Sequence, residues 1–84
     1  MFNFTEVETN YLKTRRESLE IVIRGMYVSR ASENDPIFLQ NLTNGLFILQ
    51  NELTDIEREL LERGVLTTEQ LHDGTVVIVE KKIN

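Results

Sequence analysis

Between Leu39 and Leu60 the chain places a large aliphatic residue at alternating steps of three and four: Leu39, Leu42, Leu46, Leu49, Leu53, Ile56 and Leu60. A strand repeats every second residue and a loop has no period, so this spacing predicts a helix with one apolar seam. It is the a/d pattern of knobs-into-holes packing, which requires another helix to fill the seam. The boundaries of that helix are legible too. Asp35 is a good N-cap, and Pro36 can take the first helical position, where its missing N–H does no harm. Gly64 is placed as a C-cap glycine, after which Val65 can fold back on Leu60 or Leu61. The spacing therefore predicts a helix over 36–63, about 40 Å long at the α-helical rise per residue.

The preceding segment predicts a partner for it. Thr5-Glu6-Val7-Glu8 has the form of a capping box, and Leu12, Leu19, Val22, Ile23, Met26 and Tyr27 then share one helical face. A first helix over 5–30 follows. Joined to the second by the short turn 31–35, it predicts an antiparallel hairpin, and the chain reads as mainly α. The remainder, 65–84, is different. Thr67-Thr68-Glu69-Gln70 has the form of a cap for one short helical turn. Asp73-Gly74 marks a tight turn, and Thr75–Val79 is β-branched throughout, as in a strand. A lone strand is unstable, so it pairs either with Val65-Leu66 of the same chain or across a subunit boundary. The whole of 1–84 reads as one domain.

Composition removes several classes of function. At 84 residues without cysteine, the chain has no disulfide or thiolate metal site to brace it. Stability then falls to packing or oligomerisation. The absence of cysteine fits a reducing cytoplasm. Nine Lys and Arg against fourteen Asp and Glu give a net charge of −5, which disfavours broad nucleic-acid or anionic-membrane binding. No signal peptide or membrane-spanning run is apparent.

Catalysis finds no constellation. The serines lack a histidine in their own segments, and no glycine-rich phosphate loop exists. A carboxylate metal site in a bundle wants Glu-x-x-His pairs, yet His72 is in the tail turn. Arg58 and Arg63 interleave with the acids as on a solvated face. The expectation is a protein that is not an enzyme and needs no metal or cofactor.

The first helix interrupts its own seam. Between Leu12 and Leu19 the inward position falls on Arg15 or Arg16, and a guanidinium there needs an anion. In an antiparallel hairpin this end meets Glu52, Asp55, Glu57, Glu59 and Glu62, so an interhelical ion pair is one reading. The other is a pocket for a phosphate or carboxylate, with Tyr11 as a stacking face and Arg24 and Arg30 as weaker contributors.

The second helix has more apolar surface than one hairpin can cover. Ile37, Phe38, Phe47 and Ile48 lie off the seam, so its N-terminal half is expected to meet a second subunit. Phe38, Leu42, Gly45, Phe47, Ile48 and Leu49, with Val77 and Val79 of the tail strand, are the candidate interface. Gly45 reads either as a tolerated glycine or as a point of close approach by a helix or ligand.

The run Leu42-Thr43-Asn44-Gly45-Leu46-Phe47-Ile48-Leu49 resembles the second-helix signature of phage anti-defence hairpin proteins, small sponges for cyclic nucleotide signals. Leu42, Gly45, Phe47 and Leu49 carry the match; the strand tail lies outside it. The resemblance implies an oligomeric hairpin that sequesters a signalling nucleotide between protomers. The residues alone point first to a homo-oligomeric helical-hairpin protein that binds and inhibits or regulates a protein partner. Sequestration of a small phosphate-bearing ligand between subunits is the alternative.

Overall fold

The computed structural model describes residues 3–82, which form two long helices followed by a β-hairpin. Helix α1 spans Thr9–Ser32 and α2 spans Pro36–Glu62. Strands β1 (Leu66–Gln70) and β2 (Val76–Glu80) pair antiparallel, with Leu66 opposite Glu80 and Gln70 opposite Val76.

The turn between the helices is fixed by its own side chains. The Glu33 carboxylate accepts hydrogen bonds from the backbone N–H groups of Asn34 and Asp35. Asp35 in turn caps α2, its Oδ1 accepting from the Ile37 N–H at 2.9 Å, with Pro36 in the first turn. At the other end α2 stops in a Schellman arrangement. Gly64 adopts φ +74°, the Val65 N–H donates to the Leu60 carbonyl, and the Gly64 N–H donates to that of Leu61. Val65 packs against the core, as a residue in that position commonly does. The predicted second helix is thus present to within one residue.

The predicted start of α1 is not. The helix begins at Thr9 behind Glu8, whose side chain makes no capping bond, and the capping box from Thr5 does not form. Thr5 instead donates through its N–H and hydroxyl to Asn3 Oδ1, and the Val7 N–H closes a turn on the Phe4 carbonyl. Phe4 and Val7 tuck against the core. The Arg63 guanidinium holds this segment, donating to the Phe4 and Thr5 carbonyls and to Thr9 Oγ1 at 2.8, 3.2 and 3.0 Å. Those contacts and the burial of two apolar side chains outweigh a cap of about 1 kcal/mol. Arg63 itself, its side chain only 20% exposed and also bound to Glu59, is no part of a solvated face.

Residues 67–70 also depart from expectation: they are strand, not a helical turn. Leu66, 3% exposed, anchors β1 in the core, and the backbone of β2 needs a partner for its polar groups. That demand outweighs the local capping pattern. The predicted strand at Thr75–Val79 is present one residue later, paired within the chain. The Gly74 N–H donates to the Leu71 carbonyl, Gly74 takes φ +87°, and the Leu71 N–H bonds the Thr75 carbonyl, closing a three-residue hairpin loop.

The core runs from the middle of the hairpin to the end away from its turn. Leu12, Ile56 and Leu60 are fully buried, joined by Leu19, Ile23, Leu46 and Leu66. Phe4, Val7, Val65 and Ile78 cover them from outside the helix pair. Among the described residues no helix is long and apolar enough to cross a membrane.

Candidate functional site

The seam arginines flank the core on opposite faces of the hairpin. Arg15 forms a fork with Glu52, Nε to Oε2 at 2.7 Å and Nη2 to Oε1 at 3.0 Å. Hydrogen bonding to Glu52 raises the pKa of Arg15 above its usual value, against partial desolvation. Arg16 donates from Nε to Glu57 Oε2 at 3.0 Å and lies 3.4 Å from Glu20 Oε1. Their sidedness follows from helix geometry, since neighbouring residues on one helix project about 100° apart. Both guanidiniums therefore already have anions, and the ion pairs expected between these ends of the helices are present.

Tyr11 stands one turn before Arg15 and is exposed, and Arg24 is exposed with no hydrogen bond or ion pair among the described residues. The structure does not gather Tyr11, Arg15, Arg16 and Arg24 into one concavity: Arg15 and Arg16 face different sides, and Arg24 lies more than two turns further along α1. Arg30 borders a shallow groove with Tyr27, Ala31 and Leu39 near the helix turn. Among the described residues no group of three or more His, Cys, Asp or Glu is placed to hold a metal ion. His72 is exposed in the loop of the β-hairpin.

The apolar candidates separate into two kinds. Phe38, Phe47 and Ile48 are exposed, Phe47 at 67%, and Ile37 accompanies them. Leu42 is half-buried, and Leu49 packs against the hairpin's own core. Gly45 is approached by the Met26 methyl, which a Cβ there would meet at 2.9 Å. Its close neighbour in this chain is thus a side chain of α1. Val77 and Val79 are half-buried on the face of the β-hairpin opposite Ile78.

Apolar exposure in the turn half of the molecule extends to α1. Tyr27 and Val28 of α1 are exposed, with Gln50 donating a hydrogen bond to the Tyr27 hydroxyl. Phe38, Gly45 and Glu52 recur every seven residues, as do Arg15, Val22 and Ser29. Since Arg15 meets Glu52, these two rows share one face of the hairpin. The aromatic surface was readable from its off-seam positions. The role of Arg63 was not, because its partners are more than fifty residues away in sequence. Comparison with known proteins finds no matching family model, curated protein or solved structure, so the reading of this surface stands on its geometry.

Proposed function

We propose that this chain is a non-enzymatic helical-hairpin interaction protein, acting in a reducing cytoplasm, which assembles with copies of itself and docks on a protein partner that it inhibits or regulates. The observation that supports this is the exposure of Ile37, Phe38, Phe47 and Ile48 on one half of α2, in a chain whose other half is well covered. Large apolar side chains left exposed in this number on one stretch of helix mark protein interfaces, and Phe38 and Phe47, nine residues apart, offer them on opposite sides of α2. Aromatic side chains supply much of the binding energy in such patches.

The alternative, a sponge for a cyclic nucleotide or other phosphate-bearing signal, has to displace Glu52 from Arg15 or Glu57 from Arg16. That costs two charge-assisted contacts at Arg15, or one at Arg16, before the ligand gains any. A photo-crosslinking residue in place of Phe47, used in cells that express the chain, separates the readings. A defined crosslinked protein that disappears when Phe38→Ser is added supports partner docking. No crosslink, together with calorimetric binding of a cyclic di- or trinucleotide or a cyclic ADP-ribose isomer that Arg15→Ala abolishes, supports the sponge and removes the reading favoured here.

A further inference from the structure

Helix α1 carries a second heptad row, turned away from α2. Thr14, Ser18, Ile21, Gly25, Val28 and Ser32 follow at alternating steps of four and three, and all of them are exposed. Ile21 and Val28 are 67% and 68% exposed, and a Cβ on Gly25 would meet nothing within 4 Å. The Ser32 hydroxyl is turned back on the Val28 and Ser29 carbonyls of its own helix. No charged residue interrupts the row. Along one flank stand Glu17 and Arg24, two turns apart and both exposed. Neither makes a hydrogen bond or ion pair among the described residues, whereas Lys13, Arg15, Arg16 and Glu20 are all in ion pairs. Two turns of helix separate them by about 10 Å, too far to pair along their own helix.

We propose that a second copy of this chain covers this row, α1 against α1, antiparallel, with a two-fold axis beside Ile21. This deepens the self-assembly part of the reading above by assigning its surface. A two-fold contact sets each residue against its reflection through the axis, and a residue one position from that reflection lies only about 1.5 Å further along the helix. With the axis at Ile21, Glu17 meets Arg24 of the partner subunit, and the reverse pair forms on the other side of the axis. The same register sets Ser18 against Gly25, where two small residues let the helices approach closely, and Thr14 against Val28. Ile21 meets its own copy. In a parallel pair each flank faces the other's opposite flank. That flank holds Arg15, Val22 and Ser29, and Arg15 is already bound to Glu52, so Glu17 and Arg24 gain no free partner.

The test uses the full chain, with folding checked by circular dichroism, since every substituted residue is exposed. By light scattering over a concentration series, Glu17→Arg or Arg24→Glu weakens association by at least about tenfold, the worth of two exposed ion pairs turned repulsive. The double variant E17R/R24E restores it. The chain lacks cysteine, so Ile21→Cys reports the axis directly: oxidation yields a covalent dimer, and Phe47→Cys does so far more slowly. Single charge reversals without effect, a double variant no better than either single, or faster crosslinking at Phe47 each overturn the proposal. A wild-type chain that is monomeric at high micromolar concentration removes self-assembly from both readings. A dimer that survives the α1 variants but is lost on Phe38→Ser overturns the α1 register alone.

Discussion

The two halves of the hairpin are built from the same repeat and end in opposite states. Near the tail, Ile56 and Leu60 of the α2 seam are fully buried against Leu12. Near the helix turn, Leu39 and Leu42 of the same seam are only half-buried. The pattern of leucines does not differ between the halves; what covers them does. At the tail end Phe4, Val7, Leu66 and Ile78 add to the seam from outside the helix pair, and Arg63 binds the 4–9 segment to the end of α2. At the turn end the helices have only each other. Two helices make one line of contact, and a third layer is needed to close it into a core. The tail supplies that layer for one half only, and a second molecule is the natural source for the other.

Truncation of the seam tests this contrast most strongly. Leu60→Ala is expected to cost about 2–5 kcal/mol in urea unfolding, as for other fully buried leucines. Leu39→Ala should cost clearly less, and equal losses would mean that the two ends are equally packed. Next in size is Arg63→Ala. Its charge-assisted bonds to the 4–9 segment are worth about 1.5–3 kcal/mol, and their loss should speed amide exchange at Val7 and Leu12 while leaving Leu46 protected. Exchange that rises uniformly would show that the segment is not a separate layer.

Glu52→Gln removes one anion from the Arg15 fork. With the Arg15 side chain 39% exposed, a loss of about 0.5–1 kcal/mol is expected, shrinking as salt is added. Phe47→Ser, at the uncovered end, should change the stability of the hairpin by no more than about 0.5 kcal/mol while weakening association with a partner. A large stability loss there would place Phe47 in a core. The smallest effect concerns the β-hairpin loop. The Thr75 backbone N–H, and then its hydroxyl, hold the Asp73 carboxyl below the usual aspartate value. A depressed folded-state pKa makes this contribution complete above the ordinary aspartate range and loses it as pH falls through the lower folded value. An NMR titration should show the Thr75 amide shifting in that acid window, and Asp73→Asn should abolish the shift.

How much of this was legible from sequence follows the range of the contacts. Asp35, Pro36 and Gly64 act on neighbours within a few residues, so α2 and its limits could be read from local rules. Arg15 and Arg16 break an apolar row, and a buried-facing cation must meet an anion, so their ion pairs could be inferred once an antiparallel hairpin was assumed. Thr5 and Thr67 began equally good local capping patterns that the structure does not use. In each case a distant contact decides: Arg63 reaching back to the Phe4 carbonyl, and Leu66 pairing opposite Glu80. Local preference amounts to about 1 kcal/mol at such sites and yields whenever a long-range partner offers more.

The Arg63 clasp has a consequence for how the molecule can be attached to anything else. It holds the first described residues against the end of α2, and a few residues away the Lys81 N–H bonds the Val65 carbonyl while Glu80 reaches Lys13. Both ends of the described chain thus leave from the same pole. A label, surface or carrier joined at either end leaves the opposite pole, with Phe38 and the helix turn, pointing outward and unobstructed.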